Sequence, residues 1–353
     1  MLLKLNSIIL YTLIAFGLAL LLYPFYIRLL RHMKAGKSLR ETAVGGGVAE
    51  IFQKLHGHKA WTPTMGWGMF LIIMFVLVAL SFVLQQLGYI NNTLFTREET
   101  YIILFGFFGM GIWWLIDDYL NIRWIGKGRW LPAKLKLAGM IGLAAWVSYR
   151  FFVKLWVSSI NLRPILPNTF IDIGVRYPIF TFVLTIAITN AINITDWLDG
   201  LAGGMMVIIL GLLAIVTFFY GRYLATTVIG ILTWVLLAFL RFNINPAKVF
   251  MGDSWALALW WIVSSLLYLL NLREWFFIPF MILFLLFWLE LITSGLQIFR
   301  KRVFKKKLFS IAPFHHLLEH KGQKEFTIVM RFWIVQWLLA SITLILVFYQ
   351  LYS

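Results

Sequence analysis

Ten stretches of the chain are apolar over the length needed to cross a lipid bilayer. About 20 apolar residues span the hydrocarbon core, and backbone amides inside it must pair within their own segment, so each stretch is predicted to be a helix. The predicted spans are residues 6–27, 65–87, 100–117, 135–153, 177–194, 200–220, 223–241, 254–271, 275–298 and 329–351. This pattern predicts an all-α polytopic membrane protein with a single integral membrane domain over residues 1–353.

Basic residues are concentrated in alternate connections between the predicted spans. If both termini lie outside, the inner connections contain 23 of the 31 Lys and Arg residues. Because Lys and Arg are enriched in cytoplasmic connections, we predict that both termini lie on the outer (periplasmic) side. Five of the six Asp and all six His then fall at the cytoplasmic face, which favours an active site there. The predicted cytoplasmic connections are residues 28–62, 118–136, 195–199, 241–253 and 299–331.

Composition supports a membrane protein and excludes several kinds of chemistry. Hydrophobic residues make up 61% of the chain and charged residues 13%, whereas about a quarter of the residues in soluble domains are charged. The absence of Cys excludes disulfides, thiolate catalysis and Cys-ligated zinc. On so apolar a chain, the formal charge of +17 favours lipid headgroups and anionic substrates as partners, and we predict no binding to nucleic acid.

Asp117 and Asp118 end the third predicted span, after an uncharged run from Tyr101 to Ile116. Two adjacent carboxylates at the edge of the hydrocarbon repel each other and lose solvation, so a cation is the usual remedy. Paired carboxylates suit Mg²⁺ with phosphate oxygens as further ligands. The alternative is an interfacial pair that is merely hydrated among the lipid headgroups.

Asp253 is a further carboxylate predicted at the same face. It precedes the eighth span, where it could cap a helix N-terminus or bind a metal ion. Together with the Asp pair, and in a chain without Cys, it favours Mg²⁺ or Mn²⁺ over zinc.

Polar side chains also gather between the fifth and sixth spans. Four of them follow one another at intervals of three residues: Asn190, Asn193, Asp196 and Asp199. If the helix continues through them, they share one face and form a polar ligand pocket. The alternative is a capped break between two helices, with Gly200 as the signal that ends the first.

His315 and His316 lie in the last cytoplasmic connection, beside a basic tract. As neighbours on a helix they would point about 100° apart, so one could orient a phosphate while the other packs. Their surroundings alone favour the simpler interpretation, which is a hydrated pair in a loop.

Other charged and polar positions could complete such a site. Glu290 lies inside the ninth span, where a carboxyl is expected to be protonated or paired, and Gln297 shares its helix face. Lys59 could reach an anionic substrate or only the headgroups. Lys127 and Lys136 follow the Asp pair and could neutralise a diphosphate.

These segments together resemble the phospho-N-acetylmuramoyl-pentapeptide transferase family, within the polyprenyl-phosphate N-acetylhexosamine-1-phosphate transferases. Their order and placement agree over nearly the whole chain. The matching segments are His56-x-x-Lys59 with Thr62-Pro-Thr-Met-Gly66, Asp117-Asp118-Tyr119, Asn190-Ala-Ile-Asn-Ile-Thr-Asp196, Asn243-x-x-Pro-Ala247, Phe250-Met-Gly-Asp253, Glu290 to Gln297, Ala312-Pro-x-His-His316, Lys321-Gly322 and Val329-x-Arg-Phe-Trp333.

The resemblance implies an Mg²⁺-dependent enzyme that transfers phospho-MurNAc-pentapeptide from UDP-MurNAc-pentapeptide to undecaprenyl phosphate, giving lipid I and UMP. It also implies a homodimer in the bacterial cytoplasmic (inner) membrane. The implied catalytic residues are Asp117, Asp118, Asp253 and His315, with Asp253 as the favoured Mg²⁺ ligand. We further hypothesise that Asp118 and Asp253 hold the metal ion. Asp117 is also a candidate ligand, and in this hypothesis it assists or positions the attacking phosphate. The implied substrate-binding residues are Lys59, Lys127, Lys136, Asn190, Asp196, Asp199, Asn243, Phe250, Gln297 and His316.

Three positions depart from the family pattern. Leu317 stands where the family has a third consecutive His, and Trp61 replaces the Gly before Thr-Pro-Thr. Trp197 replaces the first Gly of Thr-Asp-Gly-Leu-Asp-Gly, where an indole could either stack on uracil or block it. The alternative function is therefore a GlcNAc- or other hexosamine-1-phosphate transferase. A transporter is disfavoured, because its charges would mark a path across the bilayer.

Overall fold

A computed structural model of the chain describes residues 2–36, 57–59, 61–91, 93–96, 98–123, 159–161, 170–252, 261–266 and 276–352, with scattered positions between 139 and 149 and between 255 and 270. The described secondary structure is helical apart from one small hairpin. The helices are α1 (Leu2–His32), α2 (Gly68–Gln86), α3 (Glu98–Arg123), α4 (Tyr177–Thr195), α5 (Leu201–Phe219), α6 (Tyr223–Asn243), α7 (Phe277–Leu283), α8 (Leu285–Phe304), α9 (Phe314–His320) and α10 (Glu325–Tyr352).

The membrane character predicted from the apolar runs is confirmed. Seven described helices are long and apolar enough to cross a membrane, and the pair α7 and α8 raises the number to as many as eight. These helices match eight of the ten predicted spans. The predicted spans 135–153 and 254–271 lie largely outside the described residues. The protein is therefore a polytopic helical membrane protein, and the total of ten spans stays a prediction.

The described structure is all-α as predicted, apart from one pair of short strands. Strands β1 (Ser159–Asn161) and β2 (Phe170–Asp172) form an antiparallel pair, in which Ile160 lies opposite Ile171. Ile160 is buried against Tyr177 at the start of α4. Strands of three residues are too short to stand out in windows of about 20 residues, so the hydropathy pattern misses them.

Helices α5 and α6 lie in the interior of the bundle. Helix α5 packs against α6 and α10, and α6 also packs against α1. Close approach depends on glycines beside aromatic rings. A Cβ on Gly204 would lie 2.0 Å from the Trp333 ring, and one on Gly106 would lie 1.6 Å from the Trp261 ring. Small residues at helix contacts are the usual way for membrane helices to pack tightly.

The predicted ninth span is a bent pair rather than one straight helix. Helices α7 and α8 meet at Phe284 with an angle of 69°. Gln336, a fully buried residue of α10, donates its side-chain amide to the Leu283 carbonyl at the end of α7, 2.9 Å away. The Thr343 hydroxyl contacts the Pro279 carbonyl at 3.3 Å. These contacts connect the bend to α10 and direct α8 towards the end of the bundle that carries the candidate site.

We expect Gln336→Leu to destabilise the bend. The change leaves the Leu283 carbonyl without its amide donor in an apolar interior, and such a loss costs about 1–2 kcal/mol. Thermal unfolding in detergent should show a lower midpoint for this variant. Ser341→Ala on the same helix is the control, since its exposed hydroxyl bonds within α10, to the Trp337 carbonyl. Equal unfolding midpoints for both variants would contradict the role of Gln336.

Candidate active site

Two loops cross at one end of the bundle and are joined by backbone hydrogen bonds. The Phe250 amide donates to the Pro63 carbonyl at 2.7 Å, and the Gly66 amide donates to the Phe250 carbonyl at 2.9 Å. The hydroxyl of Tyr26 on α1 donates to the Met65 carbonyl at 2.9 Å. Pro63 belongs to this crossing, and α2 begins only at Gly68, within the predicted span 65–87.

Asp117 and Asp118 lie near the end of α3, at this crossing. They are 2% and 1% exposed, which contradicts the alternative of a hydrated surface pair. A Cβ placed on Gly252 would lie 2.8 Å from Asp118 Oδ2 and 3.3 Å from Thr64 Oγ1. Gly252 has a φ of +92°, which favours glycine. The chain therefore passes directly against the Asp118 carboxylate, one residue before Asp253 in the sequence.

The predicted metal site can be tested only in part. Among the described residues, no group of three His, Asp or Glu side chains is placed to hold a metal ion. Asp253, the third predicted ligand, lies outside the described residues, as do Lys127 and Lys136. The Asp118 carboxylate is buried beside Gly252, which has no side chain. Carboxylate oxygens in such a place are compatible with a hard cation such as Mg²⁺. The metal site stays a prediction.

The polar segment after α4 forms a turn instead of extending the helix. Helix α4 ends at Thr195 and α5 begins at Leu201, with Gly200 at a φ of +77° between them. The expected single face from Asn190 to Asp199 is therefore wrong, because the helix ends before Asp196. The Asn190 amide donates to the Ile186 carbonyl of its own helix at 2.8 Å. The alternative of a break between two helices is correct, and it leaves Asp196 and Asp199 in a turn.

A buried ion cluster connects this turn to two other segments. Lys59 Nζ lies 2.7 Å from Asp199 Oδ1 and 2.5 Å from Glu325 Oε1. Glu325 Oε1 also accepts the Asp199 backbone amide at 2.7 Å. The side chains of Lys59, Asp199 and Glu325 are only 6%, 2% and 12% exposed. Two carboxylates thus share one lysine largely away from water, so loss of the lysine would leave both negative charges without their cation.

Side-chain and backbone amides form further hydrogen bonds to the cluster and within the turn. Asp199 Oδ2 accepts from the Asn245 side chain at 3.1 Å and from the Ala247 backbone at 3.0 Å. Asn243 accepts the Gly200 backbone amide at 3.1 Å and donates to the Val249 carbonyl at 3.0 Å. In this structure, the predicted substrate-binding residues Lys59, Asp199 and Asn243 bond to other parts of the protein. These bonds connect the segments around the region in which the sequence predicts nucleotide binding.

Asp196 and Trp197 make different contacts at the start of the turn. The indole of the fully buried Trp255 donates to Asp196 Oδ2 at 2.7 Å, which connects the turn to the segment just after Asp253. Trp197 is 37% exposed, and its ring lies edge-on to the His316 ring with 6.4 Å between their centroids. The departure from the family pattern at position 197 therefore places a partly exposed indole next to the predicted site residues.

The two histidines are buried on the short helix α9, so the interpretation as a hydrated loop pair is wrong. His315 is fully buried, with Nδ1 3.1 Å from Glu290 Oε2. His316 is 7% exposed, with Nδ1 2.6 Å from Glu319 Oε2. The ring centroids of the two histidines are 4.3 Å apart. Each imidazole thus has its own carboxylate, and the expectation of a paired Glu290 facing the bundle is confirmed.

Gln297 is a structural residue in this conformation. Its side-chain oxygen accepts the Leu308 and Phe309 amides, and its nitrogen donates to the Phe309 carbonyl, each at 2.9 Å. Gln297 therefore holds the loop after α8 against that helix. Phe250 is half-buried, and its backbone forms part of the loop crossing. Substrate binding by these two residues stays a prediction.

Sequence reasoning missed Glu325, Asn245 and Trp255 as site residues. Glu325 lies in the first turn of α10. An acid there has an ordinary structural explanation, because a negative charge is favourable at a helix N-terminus. Glu325 contacts Lys59 from 266 positions away in the chain, so spacing could not reveal the pair. Glu325, Asn245 and Trp255 thus do not stand out in the sequence, because no local pattern of polar residues marks them as members of a site.

Comparison with known proteins fits this fold and site. A profile of glycosyl transferase family 4 matches residues 100–271, which include the Asp pair and the turn after α4. The site therefore belongs to a membrane-embedded transferase. The chain is 32% identical over 351 residues to the phospho-N-acetylmuramoyl-pentapeptide-transferase of Thermoanaerobacter sp. (strain X514), which covers 99% of both chains.

Other relatives agree. The protein of the same name from Staphylococcus aureus (strain bovine RF122 / ET3-1) is 33% identical, covering 93% of this chain and 95% of its own. That of Staphylococcus carnosus (strain TM300) is 32% identical, covering 91% and 94%. The chain belongs to the phospho-N-acetylmuramoyl-pentapeptide-transferase family.

Proposed function

We propose that this protein transfers phospho-MurNAc-pentapeptide from UDP-MurNAc-pentapeptide to undecaprenyl phosphate, giving lipid I and UMP. The observation that carries the proposal is the similarity over 99% of the chain to a transferase of that name. It is supported by buried acids, a buried lysine and paired histidines gathered at one end of a membrane helix bundle.

The chemistry requires a site at the membrane surface, because one substrate is lipid-anchored and the other is soluble. An oxygen of the lipid phosphate attacks the β-phosphorus of the nucleotide and forms a new P–O bond. The bond from that phosphorus to the oxygen bridging to UMP breaks, and its electron pair leaves with UMP. A lipid phosphate is already ionised near neutral pH, so the protein's main tasks are positioning and charge neutralisation. We assign positioning of the attacking phosphate to Asp117.

We propose Mg²⁺ as the cofactor, held by Asp118 and Asp253 with Asp117 adjacent. The burial of both described carboxylates, and the approach of the Gly252 backbone to Asp118, support this assignment. When bound, the ion supplies positive charge that neutralises the phosphate oxygens. Lys127 and Lys136 are proposed to add to that charge, and Asn190 and Gln297 to contribute polar contacts near the diphosphate.

The proposed setting is the bacterial cytoplasmic membrane, with both termini periplasmic and the site at the cytoplasmic face. The distribution of Lys and Arg supports this orientation. The nucleotide then reaches the site from the cytosol and the lipid reaches it from the side. We further propose a homodimer as the working form, which the mass of the purified protein in detergent can test.

The proposed reaction predicts UMP release by the purified protein in detergent. UMP and lipid-linked product should appear in equal amounts when undecaprenyl phosphate, UDP-MurNAc-pentapeptide and Mg²⁺ are all present. Omission of the lipid, or chelation of the metal by EDTA, should stop both. UDP-GlcNAc supplied in place of the muramoyl nucleotide tests the hexosamine-1-phosphate alternative. Binding of the substrates without UMP release would contradict a transferase.

A further inference from the structure

Glu290 and His315 form a pair that is 0% exposed, between α8 and α9. A carboxylate and an imidazole lose much solvation when buried, so either group would be costly there without the other nearby. Glu290 meets His315 twice: through the ring Nδ1 at 3.1 Å, and through the His315 backbone amide at 3.2 Å and 3.4 Å.

The opposite ring nitrogen of His315 is available for another partner. Among the described residues, His315 Nε2 has no hydrogen-bond partner although it is buried. The Nδ1 contact with Glu290 is close in distance but not well directed as a hydrogen bond. Contacts of reactive imidazoles are often poorly aligned before substrate is bound. The ring thus has Nδ1 against an acid, whereas its buried Nε2 lacks a hydrogen-bond partner among the described residues.

We propose that Glu290 is a positioning residue that fixes the tautomer and orientation of His315 for the transfer reaction. With its proton on Nδ1 facing Glu290, the neutral ring presents the Nε2 lone pair to the substrates. When the ring is charged, the same carboxylate holds it in place while Nε2–H points at a phosphate oxygen. A carboxylate that controls one imidazole nitrogen decides what the other can do. This inference rests on the proposed function.

A purely structural role for Glu290 makes a different prediction. His315 lies at the start of α9, so a Glu290 oxygen that accepts its backbone amide could serve only to anchor that helix. Gln in place of Glu290 keeps an oxygen acceptor for the amide and loses the negative charge. It therefore separates the two roles, because only the positioning role requires the carboxylate.

We expect Glu290→Gln to lower kcat for UMP release by about 10- to 100-fold, by analogy with carboxylates that orient metal-bound histidines. KM for the nucleotide should stay within about threefold, and the unfolding midpoint should stay near that of the wild type. In selectively labelled protein, the nitrogen-15 shifts of His315 should move as the tautomer changes, with His315→Gln assigning the signal.

A double variant tests whether Glu290 acts through His315. In a His315→Gln background, Glu290→Gln should cost less than about twofold more, because the group that it orients is absent. Thr293→Val, one turn along α8, controls for the loss of a buried polar contact; its hydroxyl bonds only to carbonyls of its own helix among the described residues.

The outcomes distinguish this inference from the proposed reaction. Absence of UMP release by the wild-type protein would remove the proposed function itself. Wild-type kcat in Glu290→Gln, or full additivity with His315→Gln, would overturn the positioning role while the function stands. If Glu290→Gln fails to fold, Glu290→Asp keeps the charge but shortens the side chain; wild-type kcat in that variant would equally overturn the proposal.

Discussion

Replacement of Asp118 by Asn should reduce UMP release by at least about 10³-fold, the scale expected when a charge-stabilising group is removed from a phosphoryl-transfer site. The variant keeps the size of the side chain and removes a carboxylate that is 1% exposed and lies against Gly252. The remaining activity should need more Mg²⁺ for its half-maximal rate, because a proposed ligand has been weakened. Titration of Mg²⁺ against the rate of UMP release measures both effects.

Two further substitutions make this test specific. Asp117→Asn should also lower turnover but leave the half-maximal Mg²⁺ concentration unchanged, if Asp117 positions the attacking phosphate rather than binding the ion. Asp172→Asn is the matched control, since Asp172 lies on β2 and accepts the Gly174 amide. Turnover in Asp118→Asn above about a tenth of the wild-type value would argue against Asp118 as a ligand, and full turnover in Asp117→Asn would remove its assigned role.

The spans could be predicted because each is a long apolar run whose ends are marked by polar residues. The predicted span 177–194 is observed as Tyr177–Thr195, and 223–241 as Tyr223–Asn243. The bend between α7 and α8 could not be predicted in this way. It occurs at Phe284 within an apolar run, and the Gln336 contact that supports it comes from 53 residues further along the chain.

The sequence predicted which residues belong to the candidate site better than it predicted how those residues contact one another. An acid pair at a span end is costly, which made Asp117 and Asp118 conspicuous in the sequence. Resemblance to a family assigned roles to Lys59 and His315, whose local sequence had left simpler interpretations open. Neither source revealed that Lys59 is held by Glu325 or that His315 is held by Glu290, because these contacts depend on how distant helix ends meet.

The cluster of Lys59, Asp199 and Glu325 yields the second large effect. Lys59→Met should destabilise the protein by about 3–5 kcal/mol, because it leaves two buried carboxylates facing each other without their cation. UMP release should fall with it, since Asp199 belongs to the turn that also carries Asp196 and Trp197. Thermal unfolding in detergent and nucleotide binding by calorimetry measure the two consequences separately. Lys324→Met is the matched control, being exposed and adjacent to Glu325.

A second substitution separates stability from binding. Glu325→Gln removes one carboxylate, so the double variant Lys59→Met with Glu325→Gln should regain a large part of the lost unfolding free energy. Nucleotide affinity should not return, because the lysine that the sequence places beside the nucleotide is still absent. Recovery of both would show that Lys59 serves only to neutralise its neighbours. Recovery of neither would mean that the cluster is not held together by charge, which its distances of 2.5 Å and 2.7 Å argue against.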